Sequence, residues 1–292
     1  MKILVGVDSA HHYQSAINMV YRLELPEPSW TLAHSVEVHM PVVAYGSAAE
    51  AAYREEFVQV ANVTGENALD DAKHYIHSLG FEPEVILLAG GAGESLAHFA
   101  DDAKVDIIAV HSERKGRLGS FFLGSVSRAL AIGAHQSVLI TKGKILPIGQ
   151  VKAVFATDHS DYANRALFKL IDLKLKLNHI EVVSVLHVGS KVPVDQPDPI
   201  YSSVSVEEAL WQEAKVKTDQ VVSKLIDAGY SASGKTVDAH INEGLHHAMT
   251  ESDSDLLILG AQGHGVMHRV MLGSVSLHQV VVEPYSVLIL RP

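Results

Sequence analysis

Between Leu256 and Ser276 the chain reads LLILGAQGHGVMHRVMLGSVS, with an apolar run ending at Gly260, Gly263 close behind, and Gly273 beside Ser274. The spacing G-x2-G-x9-G-S at a strand-to-helix junction suits a phosphate. Absent side chains let backbone N–H groups approach an anion, and glycine tolerates left-handed conformations that a Cβ resists. The first helical turn, here Ser274, Val275 and Ser276, adds unpaired donors carrying a partial positive charge, and Ser274 adds a hydroxyl. A second candidate is Asp158, which closes another short apolar run. Alone it reads as a helix N-cap or turn residue; beside the glycine segment it becomes a candidate ligand.

Elements that could position these groups recur twice. In the first half, strand-like runs at Lys2–Val7, Thr31–Val38, Glu84–Leu88, Asp106–Val110 and Ser137–Thr141 alternate with helical stretches. The order begins again at Val151–Ala156, with a helix expected over Ala163–Leu177, a strand over Ile180–Val188, a helix over Val206–Ala228 and strand-like residues at Lys235–Ala239. A helix near Gly244–Thr250, the strand Leu256–Leu259, a helix near Val275–Val282 and the strand Ser286–Leu290 complete it. Asp8 and Asp158 are 150 residues apart, Gly124 and Gly273 are 149 apart, and LGSVS occurs in both halves. The chain is an internal duplication.

Strands alternating with helices imply parallel crossovers, and short all-apolar strands imply a sheet covered on both faces. The expected fold is α/β, two tandem doubly wound five-stranded parallel-sheet domains over 1–143 and 150–292, with the linker Lys142–Gln150 between them. Ligands of such folds bind beyond the carboxyl ends of the strands where their order reverses, so Asp158 and Gly260 should face each other there. The proline-bearing stretch Gly189–Ser205 is placed as a flap over that crevice.

The glycine spacing, its strand context and the duplicated order together resemble the universal stress protein family, across both halves. The resemblance implies an adenine nucleotide alpha hydrolase-like fold of universal stress protein type. It further implies an ATP-type ligand (ATP, ADP or AMP, with or without Mg²⁺), with Asp158 near adenine and ribose and Gly260, Gly263, Gly273 and Ser274 around the phosphates. His264 is placed as a loop residue near phosphate, with Arg269 a charge partner. In the first half the two leading motif glycines are replaced by His111 and Arg114, whose side chains should fill the space a phosphate needs. That half is expected to be degenerate for ATP, with a role that is structural or directed to another ligand.

Other chemistries find less support. The chain has no cysteine, which excludes disulfides and thiolate sites. Among its 18 histidines, His264 and His268 are four apart but lack a nearby carboxylate in sequence, so no metal site is assigned. Asp158, His159, Ser160 and Asp161 carry the letters of a hydrolase triad, yet no nucleophile elbow is present, nor a G-x-x-x-x-G-K-[ST] loop, nor G-x-G-x-x-G after the first strand. No catalytic residue is assigned.

A formal charge of −11 opposes nucleic-acid binding, and no apolar run reaches membrane-spanning length. The leading reading is a cytoplasmic stress-response protein binding an adenine nucleotide in its second half without efficient turnover. An interaction or regulatory module needing no nucleotide, and a weak ATPase, are the alternatives. The resemblance also implies edge contact of equivalent last strands, within one chain as a pseudo-dimer; a homodimer is left open.

Overall fold

A computed structural model describes residues 1–37, 48–113, 124–186, 203–263 and 272–292, with backbone alone at 48–54 and 203–206. The chain divides into two compact units. The first comprises Met1–Gly149 with Val280–Pro284, the second Gln150–Gln279 with Tyr285–Pro292.

Unit 1 contains β1 (Lys2–Gly6), α1 (Tyr13–Arg22), β2 (Ser29–Val36), α2 (Ala48–Ser78), β3 (Glu84–Ala89), α3 (Ala92–Ala103), β4 (Ile107–Ser112), α4 (Ser125–Gly133) and β5 (Ser137–Lys142). Its strands lie in the order β3-β2-β1-β4-β5, every pair parallel. Unit 2 repeats the plan with β6 (Lys152–Ala156), α5 (Asp161–Leu173), β7 (His179–Leu186), α6 (Ser203–Asp227), β8 (Ala232–Asp238), α7 (Ile241–Glu251), β9 (Leu256–Gly260), α8 (Ser274–Val281) and β10 (Ser286–Leu290). Its order is β8-β7-β6-β9-β10, again all parallel. The strand order reverses between β1 and β4 in one unit and between β6 and β9 in the other. Crevices at the carboxyl ends of those pairs are the switch points of a doubly wound sheet.

The central strands hold the core because they are apolar at successive positions and covered on both faces. Ile3, Leu4, Ile108, Val154, Phe155, Leu257 and Ile258 have no exposed surface. Helices pair in unit 1 as α1 with α2 and α3 with α4. In unit 2, α5 packs on β9 and β10, α6 on β7 and β8, and α7 on β6 and β7. The first turn of α5 is capped by Ser160, whose Oγ accepts from Ala163 N at 3.1 Å, which sets the direction in which this helix leaves the crevice.

Some boundaries differ from those expected. Helix α5 stops at Leu173, four residues early, because Lys174 turns into the left-handed region at φ 49° and its N–H closes onto Ile171 O. Helix α7 starts at Ile241, ahead of Gly244. That glycine lies where a Cβ would meet Val185 Cγ1 at 2.8 Å, so its role is close helix-to-strand packing. Ser203–Ser205 already belong to α6; the remainder of the expected flap, 189–202, lies outside the described residues.

Candidate functional site

A cavity of about 370 Å³ opens at the carboxyl ends of β6 and β9. Asp158, Gly260, Gly263, Gly273, Ser274, Val275 and Ser276 all line it, although more than 100 residues separate the first from the rest. His264, His268 and Arg269 lie outside the described residues. The cavity also has an apolar wall that sequence reasoning does not find: Val183 and Val185 from β7, Ile241 and Leu245 from α7, and Leu259. Nothing in sequence separates these positions from ordinary core. The rest of the lining is mainly glycine backbone, the start of a helix and Asp158.

The polar groups are held by short local contacts. Asp158 Oδ1 accepts from Ser160 N at 3.0 Å, an Asx turn that fixes the carboxylate over the crevice. Its Oδ2 points toward Gly263, where a Cβ would come within 2.5 Å. Gly273 N donates to Ala261 O at 2.8 Å, which draws the start of α8 against the end of β9. From inside the helix, Ser276 Oγ donates to Gly260 O at 2.9 Å. Unit 1 repeats this last tie, Ser127 Oγ reaching His111 O at 3.4 Å.

The three motif glycines are not needed for left-handed backbone. Positive φ occurs at Gly80, Gly90, Gly143, Gly149 and Gly229 among the described glycines, and not at Gly260, Gly263 or Gly273. Space is the reason instead. A Cβ at Gly260 would meet the Tyr162 ring at 3.0 and 3.2 Å, and Tyr162 belongs to α5 and does not line the cavity. A Cβ at Gly260 would therefore press first on α5, with Gln262 O next at 3.3 Å. Behind the glycine strand, Arg165 Cζ lies 5.3 Å from the Tyr162 ring centroid. Burial pushes the Tyr162 phenol up, opposed by Arg291 and Arg165.

Unit 1 replaces the Tyr162/Gly260 pair by His12/His111, 150 and 149 positions earlier. Their rings stack, with centroids 5.5 Å apart and planes at 24°. One large ring over a bare backbone has become two smaller rings side by side. His12 Nδ1 lies 2.7 Å from Asp8 Oδ2, and its Nε2 lies 3.4 Å from Glu113 Oε1. The other Asp8 oxygen accepts from Tyr13 N at 3.1 Å. Both Asp8 oxygens are thus engaged inside their own unit, while Asp158, whose Oδ1 is held by Ser160 N, lines the unit 2 cavity. Arg114 lies outside the described residues.

This cluster has a pH signature. Thr141 donates its hydroxyl to Val110 O, so it accepts from His111 Nδ1 at 3.2 Å. Burial is the main cause that lowers the His111 pKa below its ordinary 6.5; His12 adds to it, while Asp8 and Glu113 oppose. The folded state therefore binds this proton less readily than the unfolded chain. The stability contributed is present above pH 6.5 and is lost as pH falls toward the depressed folded value. Urea unfolding at about pH 7.5 and about pH 5.5 should show a smaller acid loss in His111→Asn than in wild type. An equal loss would mean that His111 is not the group whose protonation weakens the fold.

Tandem doubly wound α/β units, each with a helix start facing the end of the fourth strand, define the class of protein. The model of the Universal stress protein family matches twice, over residues 1–142 and 152–291, and the chain belongs to that family. It is similar to Universal stress protein MJ0577 of Methanocaldococcus jannaschii, at 31% identity over 78 residues, which is 27% of this chain and 48% of that protein. The match spans about half the length of that curated relative. Among solved structures, a universal stress protein from Archaeoglobus fulgidus shares 14% identity with a TM-score of 0.65, covering 100% of this chain and 98% of its own. The protein PA1789 of Pseudomonas aeruginosa, described as functionally unknown, shares 14% identity with a TM-score of 0.64, covering 100% and 92%. Both likenesses concern the fold.

Proposed function

We propose that unit 2 binds ATP or a related adenine nucleotide, one molecule per chain, and that this member of the family acts by binding without efficient turnover. The observation that carries the reading is the single cavity formed by Asp158, the apolar wall and the start of α8. Adenine packs on Val183, Val185, Ile241 and Leu245. Asp158 Oδ2 accepts from the adenine amino group or a ribose hydroxyl, and the amides of Gly263, Ser274 and Val275 receive the phosphates. An anion at such a helix start gains about 0.3–1 kcal/mol from the dipole, and each charge-assisted hydrogen bond adds to it.

Asp158 is the one carboxylate among the described lining residues, so none of those residues stands beside it as a second acid for proton transfer or for sharing a divalent cation. Mg²⁺ would accordingly arrive with the nucleotide, held by its phosphates. Unit 1 is assigned no nucleotide, because both Asp8 oxygens are already engaged. No described helix is long and apolar enough to cross a membrane, and a cytoplasmic role in the stress response accompanies the proposal.

Mass spectrometry of small molecules released from freshly purified protein tests the reading. Adenine nucleotide near one equivalent supports it. Protein without bound nucleotide that also fails to take up added ATP favours the interaction-module alternative. Phosphate release that follows the protein through purification and falls in Asp158→Ala would replace binding by a weak ATPase.

A further inference from the structure

Unit 1 carries a second cavity, of about 450 Å³, at the amino ends of its strands and away from the switch-point crevice. Its walls come from the end of α1, the turn into β2 and the residue run before β3, and they include Tyr21, Arg22, Glu24, Pro28, Trp30 and Phe81. The aromatic rings touch one another: Trp30 and Phe81 have centroids 5.6 Å apart at 50°, and Phe81 and Tyr21 are 6.2 Å apart edge-on. Arg22 is anchored at the rim, its Nε donating to Gly149 O at 3.2 Å. Trp30 is 3% exposed, and its indole N–H is buried with no hydrogen-bond partner among the described residues.

The duplication supplies an internal comparison. Ile3 pairs with Trp30 in unit 1, and Ala153, 150 positions on from Ile3, pairs with Ile180 in unit 2. Ile180 thus stands where unit 1 has Trp30, and Ile171 stands at the place of Tyr21. Tyr230 replaces Phe81, and its hydroxyl reaches Leu170 O at 3.5 Å. The same position of the fold is satisfied by isoleucine, so the indole is not required to build the sheet. Its N–H is a donor only, and leaving it unpaired in the interior costs free energy that an acceptor would return.

We propose that this cavity is a binding site for a small planar aromatic molecule carrying a carbonyl or carboxylate acceptor. The ring lies against Tyr21 and Phe81 in offset or edge contact, and the acceptor meets the Trp30 N–H beside the Arg22 guanidinium. The N–H is closed off from solvent, so binding requires the Trp30 or Phe81 ring to tilt.

The chain has two tryptophans, and Trp211→Phe leaves Trp30 as the only reporter. In this background, benzamide and benzoate should each change Trp30 emission saturably and shift its indole N–H proton resonance, whereas cyclohexanecarboxamide should do so far less. Fluorine NMR of 4-fluorobenzamide then measures the variants. Trp30→Phe, which keeps an aromatic ring and removes the donor, should weaken binding at least about fivefold, and Trp30→Ile should abolish it. Circular dichroism confirms that each variant is folded. An absence of saturation up to about 10 mM probe, or unchanged affinity in Trp30→Phe, overturns the proposal. Neither result depends on whether unit 2 binds nucleotide.

Discussion

Gly263→Arg should weaken the proposed ATP binding by at least about 100-fold, equivalent to about 2.7 kcal/mol, while the protein remains folded. The reason is local. A Cβ at this position would lie 2.5 Å from Asp158 Oδ2, the end of a side chain that can move aside once its Oδ1 releases Ser160 N. Gly263 does not have positive φ, so an added side chain brings no backbone strain. The substitution therefore spares the core but displaces the carboxylate proposed to orient the base, and it fills the approach to the loop amides. It also places in unit 2 the residue that unit 1 carries at the equivalent position, Arg114. Calorimetric titration with ATP measures the loss, and chemical denaturation of the same sample separates it from unfolding. Binding within about threefold of wild type would show that the carboxylate and the loop do not act on one ligand.

Gly260→His should destabilise unit 2 by about 1–3 kcal/mol, and Tyr162→His placed beside it should recover at least half of that loss. A Cβ at Gly260 would stand 3.0 and 3.2 Å from the facing ring atoms, and Arg165 lies 5.3 Å from the centroid of that ring. A histidine can enter only if the tyrosine leaves. The double variant rebuilds the His12/His111 stack already present in unit 1, where the two rings lie 5.5 Å apart. A double-mutant cycle by urea unfolding reads the coupling. Additive single effects would mean that the ring and the glycine do not determine each other. A positive coupling also bears on the site: Gly260 then serves packing between strand and helix, and Gly263 is the glycine that the ligand needs.

The parallel repeat is legible because its evidence is dense in sequence. Runs such as Ile107–Val110 and Leu256–Leu259 are too short and too apolar for anything but strands buried on both faces, and LGSVS marks the same helix start twice. Helix ends are less legible. Lys174 and Lys104 take left-handed caps without being glycine, a choice set by the tertiary path of the chain beyond each helix. The polar half of the candidate site can be read because glycine and aspartate stand out against an apolar background. Its wall cannot, since Val183, Val185, Ile241 and Leu245 follow the same pattern as residues of the closed core. The reason for glycine is hidden by a related cause: sequence shows that a side chain is missing, and only the positions of Tyr162 and Asp158 show what occupies the space.

The engagement of Asp8 underlies the proposed division of tasks between the two halves. Its oxygens are taken by His12 and the Tyr13 amide, so the carboxylate that should orient a base in unit 2 serves as a structural acceptor in unit 1. Isothermal titration of the wild-type chain with ATP reads this difference as a stoichiometry. One saturable site per chain is predicted, with Asp158→Ala reducing its affinity and Asp8→Ala leaving it unchanged; two equivalent sites, or a single site that responds to Asp8 and not to Asp158, would contradict the division of tasks.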